Sequence, residues 1–299
     1  MTKKHAHTVS PRRLDTSSPD ELIATHARLQ RLVVKAKAGK PPGSVNYDLS
    51  ECESIDPGAL LLMMYAGAKL GELGWDAYAT GEGTAHAIVL HNLTHFNLSD
   101  EERKQFPKEV GEFPLRAVKD ANHMVAELDD WASTVRQGAG ANPEDVAEWQ
   151  TQIAEVTTNA IQHGPTGLSP ERQPMPPILL AGHADKQTRR VQLAVIDRGA
   201  GVPAVLRPKL PEHFKGEKDG RIIKEACRPG VTSRCSPQNQ GAGLPTPVGM
   251  VKANGGTLQI FSHRGLVHVR NGKMYHRTHD KSDRRLEGTL TILTLRIGA

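Results

Sequence analysis

The sequence predicts an α/β protein of two domains: a small N-terminal α/β unit followed by an α/β sandwich. Three observations predict it. Between Pro19 and Asn92, short alternating runs take turns with amphipathic helical stretches, the pattern of an α/β layer. Beyond a charged, proline-bearing stretch from Glu101 to Pro114, two long helical patterns precede a series of strand-like runs. The chain has 299 residues, room for two domains of about 100–200 residues.

Residues 1–18 show no periodicity and are expected to form a disordered tail. Pro19 to Lys37 reads as a helix, with Leu22, Ile23, Leu29, Leu32 and Val33 as its apolar set. After a Gly/Pro loop, Val45, Tyr47 and Leu49 alternate with Asn46 and Asp48 as a short strand. Ile55-Asp56-Pro57-Gly58 is a tight loop, and Ala59 to Gly71 is a strongly apolar helix. Trp75 to Thr80 is a strand and Thr84 to Asn92 a helix. The core pattern of this first domain, residues 19–110, is self-contained, so it is expected to fold alone.

The second domain spans residues 116–299. Val118 to Gln137 and Pro143 to Gln162 read as long helices. Pro143 suits a helix start, with Asn142 as cap and Glu144 and Asp145 in the first turn. Ile178 to Ala181, Arg190 to Ile196, Thr257 to Phe261, Leu266 to Val269 and Thr289 to Ile297 read as strands, and Pro245 to Ala253 as a helix. No internal repeat is visible.

Composition narrows the function classes. No apolar run approaches the roughly 20 residues that span a bilayer, and Met1 to Leu14 lacks the apolar stretch of a signal peptide. A soluble, cytoplasmic protein without membrane contact is expected. Three cysteines, Cys52, Cys227 and Cys235, make no disulfide framework, and a zinc site built from the last two with His213 is not expected. The net charge of +5 is scattered, with a concentration from Arg264 to Arg285. Aromatics, at 4% of the chain, are not interleaved with it as single-strand binders require. Nucleic acid is therefore not expected as a partner; a solvated basic face or a patch for an acidic partner is.

Three short motifs carry the chemistry. The first, Glu155-Val156-Thr157-Thr158-Asn159-Ala160-Ile161-Gln162-His163-Gly164, ends a predicted helix whose apolar stripe is Val146, Trp149, Ile153, Val156 and Ala160. Glu155 and Asn159, four apart, stack on one face, about 120° from the centre of that stripe. A carboxylate and an amide oxygen side by side are the hard donors that Mg²⁺ prefers. The second motif, Asp197-Arg198-Gly199-Ala200-Gly201, follows the alternating strand Val191, Leu193, Val195. Asp197 stands at the strand end, where its carboxylate can accept from an amino group such as adenine N6. Gly199 and Gly201 permit a turn and a close approach. The third, Asn239-Gln240-Gly241-Ala242-Gly243-Leu244, precedes a helix, and backbone N–H groups at such a place cradle phosphate. Taken singly, each motif has an ordinary structural reading as a solvated helix face or a glycine turn.

In this order and setting the three resemble the nucleotide-binding boxes of the histidine-kinase/gyrase/Hsp90 (GHKL) ATPase superfamily. The closing segments Gly255-Gly256-Thr257 and Gly288-Thr289-Leu290 agree with it. The resemblance implies an α/β sandwich that binds ATP with Mg²⁺. Asn159 would hold Mg²⁺, Asp197 the adenine, and Glu155 would be the catalytic base in members that use one. Gly199, Gly201, Gly241, Gly243 and Leu244 would shape the pocket. Two departures stand out: the long basic insert Leu206 to Gln240, read as an extended lid, and Pro245, where a second glycine often follows the leucine.

The first domain resembles the STAS domain of anti-anti-sigma factors over roughly residues 20–100. The resemblance rests on Val45 to Leu49, then Ser54-Ile55-Asp56-Pro57-Gly58-Ala59-Leu60-Leu61, and implies a small mixed sheet backed by helices. The family's phosphorylated hydroxyl directly after the Asp is replaced by Pro57 and Gly58, so a docking or sensing role is expected in place of that switch. Together the resemblances imply a partner-switching serine/threonine kinase, or an ATP-gated switch, with a regulatory protein partner and room for a homodimer. A sensor-type histidine kinase, with His123 as the placed phosphoacceptor candidate, and a non-hydrolysing interaction module are the alternatives. A gyrase-type machine is not expected, because no transducer domain follows within a chain that stops at Ala299.

Overall fold

The computed structural model describes residues 5–39, 43–82, 115–118, 124–126, 128–129, 132–133, 136, 141–163, 178–185, 187–231, 244–281 and 284–298. The protein is mixed α/β with several sheets. The predicted helix at Thr84 to Asn92 lies outside these residues.

In the N-terminal half, strands β1 (His5–Val9), β3 (Gly43–Asp48) and β5 (Trp75–Thr80) pair in parallel, with β3 central. A two-stranded parallel pair joins β2 (Arg13–Leu14) to β4 (Ser54–Ile55). Residues 5–9 and 13–14 are thus strands, a correction to the disordered tail expected over residues 1–18. The physical reason is pairing: β1 gains its hydrogen bonds from β3, and Leu14 is fully buried. Helix α1 (Pro19–Ala38) starts at Ser18, whose side chain accepts from the Glu21 N–H, and ends with Lys35 and Lys37 in its last turn, charges that suit a helix C-terminus. Helix α2 (Pro57–Glu72) starts at Asp56, whose carboxylate accepts from Ala59 N–H at 2.8 Å and from Thr16 N–H and hydroxyl. Pro57 and Gly58 are therefore the buried first turn of a helix.

The C-terminal half is one antiparallel sheet in the order β11-β10-β9-β12-β8-β7-β6. Its strands are β6 (Leu115–Val118), β7 (Ile178–Asp185), β8 (Arg190–Asp197), β9 (Thr257–His263), β10 (Gly265–Arg270), β11 (Lys273–Thr278) and β12 (Leu286–Arg296). Val118 ends β6 instead of opening a helix, since it pairs with Ile178; helical turns occur further on, within residues 124–136.

Alternation along the strands gives the sheet two apolar faces. Val191, Leu193, Val195, Ile260, Val267 and Leu293 face α3 (Pro143–His163), α5 (Asp219–Ala226) and α6 (Pro245–Asn254); the single turn α4 (Val202–Leu206) follows β8. Ala194, Ile196, Phe261, Leu266, Leu290 and Ile292 face the other way, into one core with α1 and α2. The core of the N-terminal half is therefore not self-contained. Helix α2 is buried on nearly every side, from Pro57 through Ala66, as a helix apolar all round must be.

Several contacts fasten the halves. A Cβ on Gly58 would lie 2.3 Å from Thr16 Oγ1 and 2.6 Å from Ile292 Cδ1, so a side chain there would force Thr16 and Ile292 to shift. Gln259 Nε2 donates to the Thr16 carbonyl at 2.7 Å in a buried position. His26 meets Phe261 edge-on at 4.9 Å, and burial pushes its pKa down to about 3.

Candidate functional site

Asp197 closes β8. Its position two residues after Val195 puts it on the sheet face that carries α3 and α6. Its Oδ1 accepts from Gly199 N–H at 2.8 Å. Thr289 stands directly opposite on β12, its hydroxyl within reach of both Asp197 and Ser262 Oγ, the latter at 3.2 Å. Ser262 donates to the Gly288 carbonyl at 2.7 Å and accepts from Val202 N–H at 3.0 Å. Burial, opposed by the Gly199 and Thr289 hydrogen bonds, pushes the Asp197 pKa up to about 7. A buried carboxyl with one short backbone bond and a hydroxyl beside it is a strong acceptor for a ligand N–H.

The turn after Asp197 is pinned from three sides. Gly201 has φ +79°, and a Cβ there would meet Ser262 Oγ at 2.7 Å and the Gly288 carbonyl oxygen at 2.9 Å. That glycine serves the packing of the turn against β9 and β12, a role beyond the ligand approach read from sequence. His263 Nε2 bonds the Ala200 carbonyl at 2.7 Å. On the opposite face, Arg198, its side chain 2% exposed, bridges to Glu72 of α2 in a very short contact. Lys69, also on α2, pairs with Glu72 and with Glu287.

Glu155 and Asn159 lie on α3, half-buried, while the predicted stripe Val146, Trp149, Ile153, Val156 and Ala160 is buried against the sheet. Asn142 caps the helix, accepting from Asp145 N–H at 2.7 Å. The amide Nδ2 of Asn159 is buried and has no partner among the described residues. Such a group carries a desolvation cost of roughly 1–3 kcal/mol unless something fills its hydrogen bond. This orphan fits a polar ligand against α3, although it is the amide oxygen that would face a cation. Gln152 and Thr157 of the same helix also hold buried unpartnered oxygens; nothing in the sequence marked them, since both pass for exposed polar positions.

Gly241, Gly243 and Gly164 lie outside the described residues, as do Cys235 and His123. Leu244 immediately precedes α6 and is half-buried against the helix-face core. The basic insert, read as an extended lid, is in its described part a packed element. Ile222 and Ile223 of α5 are fully buried, Arg207 pairs with Asp219 at 2.7 Å, and Gly220 N–H donates to Thr278 Oγ1 at 2.8 Å. Cys227 is buried, its thiol pushed up to about 12 by desolvation. Among the described residues, no three His, Cys, Asp or Glu side chains cluster as metal ligands. The residues that sequence reasoning missed at this site are Ser262, Thr289 as a partner of Asp197, and Arg198 with Glu72. No protein-family model and no curated protein sequence matches the chain.

Proposed function

We propose that the chain is an ATP-binding regulatory protein of the histidine-kinase/gyrase/Hsp90 type, with an N-terminal unit similar to STAS domains. The observation that carries this reading is the buried Asp197 carboxyl at the end of a central antiparallel strand, between the Gly199 N–H and Thr289, on the helix-covered face of the sheet. Asp197 takes the adenine amino group. Asn159, whose amide nitrogen has no partner among the described residues, takes Mg²⁺ through its oxygen, and Glu155 one turn earlier is the base. Gly199, Gly201 and Leu244 shape the pocket, and the resemblance assigns Gly241 and Gly243, outside the described residues, to it as well. ATP with Mg²⁺ would supply the transferable phosphoryl group.

The protein acts on a regulatory protein partner, either as a serine/threonine kinase or as an ATP-gated switch. Incubation of the pure chain with γ-labelled ATP separates these: label on a protein, released phosphate, or bound nucleotide alone. Absence of any ATP binding by calorimetry overturns the proposal.

A further inference from the structure

At the end of β8 remote from Asp197, on the face that carries α1 and α2, a cavity of about 650 Å³ opens between the start of α1 and the sheet. Its place follows from the strand register. The apolar residues Ala181, Ala194 and Ile292 give way, two residues further on, to His183, Gln192 and Thr294. One more step brings Asp185, Arg190 and Arg296 side by side. Arg270 enters from β10 opposite Thr257, and Ser17 and Ser18 close the cavity from the loop before α1. The volume lies within the roughly 300–1,000 Å³ usual for small-molecule sites.

Three arginines and three carboxylates line this cavity, but their hydrogen bonding is uneven. Arg190 and Arg296 stand directly opposite each other on β8 and β12, and like charges in that relation repel. Among the described residues, neither guanidinium, nor that of Arg270, has a hydrogen-bond or ion-pair partner. Three carboxylates line the same space, but each already accepts bonds. Asp56 is held by Ala59 N–H and Thr16, Asp185 by Thr188 and Gln187 N–H, and Asp15 by Ser17 N–H. His268, also in the lining, has a buried Nε2 with no partner among the described residues. The cavity thus holds three exposed arginines that have no partner among the described residues, Arg190 and Arg296 on directly paired strand positions, beside the His268 Nε2.

We propose that this cavity is a second binding site, for a phosphorylated small molecule, with Arg190 and Arg296 clamping its phosphoryl end and Arg270 and His268 meeting the remainder. An anion between the two arginines replaces their repulsion with charge-assisted bonds. The site lies on the opposite face and at the opposite end of β8 from Asp197, so it does not depend on the proposed nucleotide pocket.

The test is calorimetric titration of the full chain with inorganic pyrophosphate in EDTA, which suppresses Mg²⁺-dependent binding elsewhere. Wild type should bind, and Arg190→Gln/Arg296→Gln should bind at least tenfold more weakly. The double variant should stay folded, checked by its melting curve, because both arginines are exposed. No binding by wild type, or equal affinity in the double variant, overturns the proposal. Failure of the ATP reading would appear separately, as absent Mg·ATP binding in magnesium buffer.

Discussion

Glu72→Ala should destabilise the whole molecule and loosen the turn after Asp197. Arg198 has a side chain 2% exposed, against 26% for Glu72, and two further guanidinium nitrogens, Nε and Nη1, already lack partners. Removing Glu72 leaves a buried cation with no counter-charge in contact. Breaking a fully buried pair costs about 3–5 kcal/mol; the partial exposure of Glu72 brings the expectation to about 2–3 kcal/mol. That corresponds to a melting point lowered by roughly 5–10 °C. Glu72→Leu combined with Arg198→Met should recover most of the loss, since apolar replacement of a buried pair is often neutral. The assay is a double-mutant cycle by urea unfolding, with ATP affinity measured on the same proteins. If Glu72→Ala melts within a degree of wild type, or costs as much in the Arg198→Met background as alone, the bridge does not couple the halves.

Asp197→Asn should weaken ATP binding by about 1.5–3 kcal/mol, the worth of a charged hydrogen bond, and calorimetry showing unchanged affinity would remove adenine recognition from this residue. The raised pKa of Asp197 gives two opposed pH effects. Its folded form holds a proton that the unfolded form has lost, so its contribution to stability is full below about pH 4 and disappears as pH rises through about 7. ATP affinity should run the other way, falling below about pH 7 as the acceptor is protonated; Asp197→Asn should flatten both curves, measured by melting and by titration. Asn159→Ala should weaken Mg·ATP binding, whereas Glu155→Ala should keep it and lose any turnover by about 10²–10⁴-fold; equal hydrolysis by Glu155→Ala and wild type would return that helix face to a plain polar surface.

Much of the candidate site could be read from sequence because its signals are local. The alternation Val191, Leu193, Val195 placed Asp197 at a strand end, and the apolar stripe of α3 placed Glu155 and Asn159 beside the core. What escaped depends on contacts remote in sequence. Ser262 and Thr289 are hydroxyls on alternating strands and pass for surface residues until the register sets them beside Asp197. Strand β11, Lys-Met-Tyr-His-Arg-Thr, lies at a sheet edge with little burial, so it carries almost no apolar alternation. Strand β1 is mostly polar and becomes a strand only by pairing with β3. The all-round hydrophobicity of α2 was visible in the sequence, but its cause, a second sheet waiting on its far side, was not.

The position of β12 governs how the chain can assemble. It is the most C-terminal of the strands, yet it stands fourth of seven, between β9 and β8. During synthesis the ribosome delivers β6, β7 and β8 first and β9, β10 and β11 later, as two fragments with no shared edge. The buried face of α2 meanwhile has no complete surface to dock on. Only when Leu286–Arg296 has emerged can the fragments be joined and both faces closed in one step. Such non-local closure is slow and leaves open strand edges and apolar helix exposed in the interim. A nonsense codon a few residues upstream of Leu286 should therefore yield aggregate in place of a shortened, folded protein.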